Sequence, residues 1–198
     1  MEYCVAKVAD IEQVTALLRR YQVDTISDED RKDGFVTTRL TEAQLVALIE
    51  QERGLFVAKQ AGKVVAFVMA ASWSFWSPWP LFQHMIGRLG EYEFAGQQLT
   101  VDNSYQYGPI CIDVSVRGSG VLEALFAFAR ECMAQRFDIL VTFVNKINLR
   151  SYAAHSRKLG LAVLSEFTFN NNNYYWMVCT TRPQTATAGE TERSALPQ

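Results

Sequence analysis

The stretch IDVSVRGSGVL, from residue 112 to residue 122, constrains the fold more than any other part of the chain. The apolar segment 104–114 is typical of a buried strand, and the apolar period over residues 120–135 is typical of a helix. Between them lie Gly118 and Gly120, which tolerate positive φ and let a ligand approach the backbone closely. The sequence therefore predicts a strand, a tight glycine turn and a helix in direct succession.

This turn also has the composition of an anion-binding site. The first N–H groups of a helix lack intrahelical acceptors, and the helix dipole favours an anion beside them. Arg117 adds a cation with several donors, which suits a phosphate group. From these residues alone, a plain tight turn and a pyrophosphate site are both consistent interpretations.

The remaining periodicity predicts an α+β chain. Strands are predicted over 3–8, 55–59, 63–72, 104–114 and 138–145, helices after Asp10 and Thr41 and over 120–135 and 148–159, and a closing hairpin around the asparagines at 170–173. This order favours a single mostly antiparallel sheet with helices on its faces. We expect residues 1–181 to form one domain, residues 182–198 to form a mobile tail and the polar segment 24–34 to be a loop. Its acidic part, 28–33, is consistent with a solvated charge run or with a segment that attracts a cationic acceptor.

Composition excludes several classes of function. The formal net charge of the 198 residues is −2, which argues against a general basic field for nucleic acid. The four cysteines form no CxxC pair and there are only two histidines, so we expect no metal site and a reducing compartment. No apolar run is long enough to cross a bilayer, and no leader pattern precedes the first strand; these features predict a cytoplasmic protein without a membrane partner.

The motifs, in this order, resemble those of the Gcn5-related N-acetyltransferase (GNAT) superfamily over nearly the whole predicted domain. That family has Arg/Gln-x-x-Gly-x-Gly/Ala at the helix that follows its central strand. Here Arg117 and Gly120 match, and Leu122 replaces the last small residue. The hairpin LFVAKQAGKVVAFV (55–68), with its Gly-Lys turn, is also typical of the family.

The second family signature is Asn…Ser/Ala…Tyr/His…Leu-Gly-Phe. This chain has NLRSYAAHSRKLGL (148–161), with one extra residue between His155 and Gly160 and with Leu161 in place of phenylalanine. The resemblance implies a GNAT-like central mixed, mostly antiparallel sheet of about seven strands with helices on both faces. It also implies acetyl-CoA as co-substrate.

By this resemblance the glycine turn would hold the pyrophosphate of coenzyme A. The backbone of Gly118, Ser119, Gly120, Val121 and Leu122 would supply N–H groups, with Arg117 beside them. Strand residues Ile112 and Val114 would pair with the pantetheine amides, and Asn148 and Ser151 would contact the pantetheine arm.

Direct transfer from a thioester to an amine requires that protons be moved. His155 stands where the family often has a tyrosine acid, and Tyr152 lies one turn earlier as the alternative. Asp113, at the end of the central strand, is the predicted base. An acyl-cysteine at Cys111 is rejected, because nothing in the sequence supplies a base or lowers the pKa of its thiol.

Residues 73–107 hold nine aromatic residues, three of them tryptophans. A hydrophobic cluster, a homodimer interface and an acceptor pocket are three interpretations of this segment. In the third, the pocket wall comprises Trp73, Trp76, Trp79 and Tyr105.

The sequence thus predicts an acetyl-CoA-dependent N-acetyltransferase that acts on a primary amine of a small molecule or protein. Two alternatives stay open at this point. One is a non-catalytic acyl-CoA-binding module of the same fold, and the other is an interaction protein that uses the aromatic segment.

Overall fold

The computed structural model describes residues 1–22, 24, 26 and 35–182. The predicted acidic loop at 28–33 lies outside the described residues, as does the predicted tail except for Arg182.

Nine strands run through the described residues: β1 (Glu2–Val5), β2 (Leu55–Gln60), β3 (Lys63–Ala71), β4 (Glu93–Phe94), β5 (Gln97–Gln98), β6 (Ser104–Ile112), β7 (Ile139–Asn145), β8 (Ala162–Phe169) and β9 (Asn172–Thr180). Seven of them form one sheet in the order β1-β2-β3-β6-β7-β9-β8, while β4 and β5 pair separately. Only β6 and β7 are parallel neighbours, so the predicted mixed, mostly antiparallel sheet is confirmed.

The described fold also contains these α-helices: α1 (Ile11–Arg20), α2 (Glu42–Glu50), α3 (Trp73–Trp76), α4 (Pro80–Ile86), α5 (Val121–Met133) and α6 (Leu149–Ala153). The predicted capping box is present at α2, where Thr41 Oγ1 accepts from the N–H of Gln44 and Gln44 Oε1 accepts from the N–H of Thr41. The predicted helix over 148–159 is different: after α6 the chain continues as a π-helical turn over Ala154–Lys158.

Two apolar clusters cover the two faces of the sheet. Helices α1 and α2 and the aromatic segment pack on one face, for example through Val14 and Leu48. Helix α5 packs on the other face through Val121, Leu125 and Ala129. The alternation of strand residues between two covered faces explains why β3 is apolar almost throughout.

Candidate active site

The sheet opens into a fork where β6 and β7 diverge. These parallel strands pair at only three positions, Ser104 with Ile139, Tyr105 with Leu140 and Gln106 with Val141. Beyond Gln106, strand β6 continues to pair with β3 and strand β7 with β9. Two cavities lie at this opening.

The larger cavity has a volume of about 410 Å³. Its walls are the end of β6, the turn that leads into α5, and the helix formed by α6 and the π turn. From the turn it is lined by Val116, Arg117, Gly118 and Gly120, and from the start of α5 by Leu122 and Glu123.

The glycine turn has the conformation that the sequence predicts. Gly118 and Gly120 have φ of +77° and +83°, and Gly120 is the N-cap of α5. The first intrahelical bond runs from the N–H of Ala124 to the Gly120 carbonyl at 3.0 Å. The N–H groups of residues 121–123 therefore have no acceptor within the helix, which gives this cavity an anion-binding corner.

Basic side chains surround this corner. The Arg117 Nε donates to the Ile112 carbonyl at 3.0 Å, and its guanidinium lies 4.9 Å from the centre of the Tyr21 ring. Arg150, Arg157 and Lys158 line the opposite wall, and Lys158 Nζ lies 3.4 Å from Glu123. N–H groups and several cations around one cavity fit a polyphosphate ligand.

The smaller cavity, of about 100 Å³, lies on the other side of the fork. Aromatic side chains line much of it: Phe35, Phe82, Phe143 and Tyr174. Its described lining contains no Asp, Glu, Lys or Arg. The two cavities share six lining residues, which are Phe35, Val36, Ile110, Asn148, Ser151 and His155.

His155 is the titratable residue in this shared wall. It is 7% exposed, and its Nδ1 lies 2.7 Å from the Ser151 carbonyl. Because a carbonyl only accepts, Nδ1 carries the hydrogen, and in the neutral ring Nε2 is left with the lone pair. Burial lowers the pKa of His155, although the hydrogen bond to Ser151 partly opposes this shift. The ring is therefore neutral at pH 7, which suits a proton acceptor.

The π turn accounts for the extra residue between His155 and Gly160. A π turn accommodates one more residue than an α turn over the same rise. The His155 carbonyl accepts from the N–H of Leu161 at 3.0 Å, which closes the segment before β8. The insertion thus leaves His155 at the shared wall.

Of the other residues expected in proton transfer, Tyr152 lines neither cavity. Its ring stacks on Tyr175 with centroids 4.4 Å apart.

Asp113 also lies outside both linings, because it caps the 3₁₀ turn Val114–Val116. Its carboxylate accepts from the N–H and hydroxyl of Ser115 and from Arg20, at 2.6–3.0 Å. Burial would raise the pKa of Asp113, but these hydrogen bonds and the Arg20 charge outweigh it and lower the pKa. A carboxylate held in this way is a poor base, so the geometry does not support the predicted role.

The end of the central strand differs from the prediction. Strand β6 stops at Ile112, which lines the larger cavity, and Val114 lies in the following turn, 53% exposed. The N–H of Val114 donates to the Tyr21 hydroxyl at 2.9 Å. Val114 therefore has no free strand edge for a ligand, whereas Ile110 lines both cavities.

Of the other residues predicted to contact the coenzyme, some line the cavities and others have side chains that point away from them. Asn148 and Ser151 line both cavities, and Asn148 also caps α6 through its Oδ1, which accepts from the N–H of Ser151 at 3.1 Å. The side chains of Ser119 and Val121 point elsewhere: the Ser119 hydroxyl donates to the Val116 carbonyl, and Val121 is buried in the core.

The predicted aromatic wall is not at either cavity. Trp73, Trp76 and Tyr105 are buried in the core, and Trp73 Nε1 donates to the Ser104 hydroxyl at 3.0 Å. Trp79 is half-buried beside Trp76. The aromatic segment reaches the smaller cavity through Phe82 instead. The centroid of its ring lies 5.6 Å from that of Phe143.

Cys111 lines the larger cavity but is 3% exposed. Burial raises the pKa of its thiol to about 12. The thiolate required for an acyl-cysteine is therefore strongly disfavoured, in agreement with the sequence argument.

Among residues 1–22, 24, 26 and 35–182, no group of three or more His, Cys, Asp or Glu side chains could hold a metal ion. Over the same residues, no helix has the length and apolar character needed to cross a membrane.

No protein-family model matches this sequence, and no curated protein matches it. Solved structures do match. An aminoglycoside 6'-acetyltransferase type Ii has a TM-score of 0.62 at 13% identity, with 93% of this chain and 100% of that chain covered. The ribosomal-protein-alanine N-acetyltransferase from Brucella melitensis has a TM-score of 0.58 at 16% identity, with 91% and 99% covered.

A third match, yncA from Salmonella typhimurium, was solved with its cofactor acetyl-CoA; its TM-score is 0.58 at 15% identity, with 94% and 96% covered. The class of architecture is defined by two features: the mixed sheet forks between two parallel strands, and a glycine turn at a helix N-terminus lies beside the fork. The particular fold is that of the GNAT acetyltransferases, as the sequence motifs predict.

Proposed function

We propose that this protein is an N-acetyltransferase that moves the acetyl group of acetyl-CoA directly to a primary amine. The observation that carries the proposal is the pair of cavities that meet at the fork and share the wall of His155. One cavity suits a polyanionic coenzyme and the other a small nucleophile. Their junction is where a thioester and an amine could meet.

The larger cavity fits the coenzyme on its donor set. The N–H groups at the start of α5 and the side chain of Arg117 would hold the pyrophosphate, and Arg150, Arg157 and Lys158 would add positive charge. Ile110 and Asn148 line the path to the fork, where the pantetheine arm would lie. Acetyl-CoA, when bound, supplies an activated acyl carbonyl and a thiol leaving group.

His155 would move the protons. A primary amine with a pKa of about 10.4 is largely protonated at pH 7, and freeing its lone pair costs about 4–5 kcal/mol. As the C–N bond forms and the C–S bond breaks, the amine loses a proton and the departing sulfur gains one. The ammonium proton would go to solvent before the attack. The neutral Nε2 of His155 would accept the proton that leaves the nitrogen as the C–N bond forms and, once protonated, could return it to the sulfur.

Acetyl-CoA binding is the first test. Saturation at about 100 times Kd stabilises a protein by about 2.7 kcal/mol, which is a shift of several degrees in Tm for a chain of this length. We expect this shift with acetyl-CoA and not with ATP or NAD. No shift with acetyl-CoA would overturn the proposed function.

Coenzyme A release with a panel of amines then tests catalysis. His155→Gln should lower kcat by about 10²- to 10⁴-fold, the usual contribution of a proton-transfer group. Tyr152→Phe should leave kcat unchanged, because the Tyr152 ring lines neither cavity. The reverse result would make Tyr152 the proton-transfer residue.

Acetyl-CoA binding without release in the presence of any amine would favour a non-catalytic acyl-CoA-binding module. Leu122 and Leu161, which replace residues of the family motifs, keep this alternative in view.

A further inference from the structure

The lining of the smaller cavity is informative about the molecule that it holds. The rings of Phe82, Phe143 and Tyr174 form a continuous series, with centroids 5.6 Å apart in each successive pair. The polar side chains around them are hydroxyls and amides, such as those of Thr142 and Asn145. Such a lining favours an apolar body and offers no counter-ion from the described residues.

Gln106 is an unusual member of this lining. It is 1% exposed, and its Nε2 donates to the Tyr107 carbonyl at 2.8 Å. This bond fixes the orientation of the amide, since a flipped amide would put two oxygens together. Gln106 Oε1 is then a buried acceptor that no described group satisfies. Buried polar atoms are nearly always paired, so this oxygen is available for a donor on a ligand.

We propose that the smaller cavity takes a small primary amine with an apolar, preferably aromatic body and no second charge, and that Gln106 Oε1 accepts one N–H of this amine. The proposal rests on the proposed function and specifies its acceptor. An N–H held by Gln106 fixes the nitrogen on the β6 side of the fork. The neutral surroundings favour the free amine, which is the form that attacks a thioester.

The same lining discriminates against two other kinds of amine. A diamine would bring a second ammonium group into a cavity whose described walls carry no carboxylate. An amino acid would bring a carboxylate to a cavity whose described lining carries no Lys or Arg. Burying an unpaired charge is costly, so both should be much poorer substrates than their uncharged counterparts.

Two matched pairs of amines test this specificity with acetyl-CoA as donor. Phenethylamine differs from phenylalanine by the carboxylate alone, and pentylamine differs from 1,5-diaminopentane by the second amine. We expect kcat/KM to be at least about 100-fold higher for the first member of each pair. Equal or reversed values within either pair would overturn the proposed substrate class.

Gln106→Leu tests the hydrogen bond. The variant should fold, because the Tyr107 carbonyl keeps a second donor in the Thr142 hydroxyl at 2.6 Å, and because removing an unpaired buried acceptor does not destabilise a fold. We expect KM for phenethylamine to rise about 10-fold or more, with the Kd of acetyl-CoA and the Tm at wild-type values. Gln51→Leu, at an exposed position beside neither cavity, is the matched control.

The outcomes separate this proposal from the proposed function. If the wild-type protein does not bind acetyl-CoA, both the proposed function and the proposed substrate class are overturned. Binding together with good turnover of phenylalanine or 1,5-diaminopentane would overturn the substrate class and leave the acetyltransferase standing. An unchanged amine KM in Gln106→Leu would remove Gln106 from the acceptor site.

Discussion

The two cavities at the fork share a wall and differ in almost everything else. The larger has four basic side chains and a helix N-terminus on its walls, whereas the smaller has aromatic rings and neutral polar groups. The contrast is electrostatic: basic side chains line one side of the fork, and the described lining of the other side contains no Asp, Glu, Lys or Arg. A binding site for a polyanion and a site that keeps an amine uncharged have opposite requirements, and the diverging strands keep them apart.

Gly120→Glu should have the largest effect on the larger cavity and leave the smaller one unchanged. Gly120 has positive φ and open space around it, so the new carboxylate would lie at the helix N-terminus that faces the larger cavity. We expect acetyl-CoA affinity to fall by at least about 100-fold through charge repulsion and lost N–H contacts, measured by calorimetry.

Gly62→Glu is the matched control for this variant. Gly62 lies in the β2–β3 turn with φ of +76° and equally open surroundings, so it carries the same backbone strain of about 1–2 kcal/mol. Equal loss of acetyl-CoA affinity in both variants would show that strain, and not the site, is responsible.

Ionic strength should affect the two cavities unequally, with an effect of intermediate size. Between low salt and about 0.5 M sodium chloride, screening should weaken acetyl-CoA binding by roughly 10-fold, because Arg150, Arg157 and Lys158 are exposed charges. The KM of a monoamine should change by less than about twofold, since its cavity carries no described acid or base other than His155. A salt dependence of equal size for the two substrates would contradict this electrostatic contrast.

The smallest effect should be the pH dependence of stability at His155. Its pKa in the folded protein lies below the ordinary value of 6.5, so below about pH 6.5 the unfolded chain binds a proton that the folded chain does not. The contribution of His155 to the free energy of unfolding is therefore largest above pH 6.5. It declines as the pH falls from 6.5 towards the pKa of His155 in the folded protein.

Urea unfolding of the wild type and His155→Gln between pH 5 and pH 8 measures this contribution. The free energy of unfolding of the wild type should decline relative to that of the variant by up to about 1.4 kcal/mol per pH unit below pH 6.5. A constant difference across the whole range would mean that His155 is not held neutral by the fold.

Local signals in the sequence were enough for the sheet, the glycine turn and the capped helices. Positive φ at glycines and the period of apolar residues both depend on near neighbours. The structure has positive φ at Gly118 and Gly120 and a helix from Val121, as these signals predict. The resemblance to the GNAT superfamily adds the expectation of a mixed, mostly antiparallel sheet of about seven strands, which the structure confirms.

The sequence is less informative where a contact depends on a distant residue. Asp113 is held by Arg20, and the N–H of Val114 is taken by Tyr21, each from 93 residues away in sequence. Neither partner can be recognised from the residues around the turn. For the tryptophans, the sequence leaves a hydrophobic cluster, a homodimer interface and an acceptor pocket open, because aromatic composition does not distinguish a core from a binding wall.

The periodicity of the sequence does not distinguish Gln106 as a site residue. It is a polar residue in a mostly apolar strand that also contains the buried Ser104, and only the fixed amide orientation and the cavity beside it reveal an unused acceptor. Polar residues within otherwise buried strands are the signal that could have found it, since such residues are uncommon without a purpose.

The wall shared by the two cavities has a consequence for kinetic order. Because His155 and Asn148 face both cavities, both substrates can be present before any bond changes. The buried thiol of Cys111 is not suited to carry the acyl group as a covalent intermediate, because its pKa is raised to about 12. Initial-rate plots for the two substrates should then intersect instead of running parallel. If the proposed function holds, the divergence of two strands after three residue pairs predicts a ternary complex.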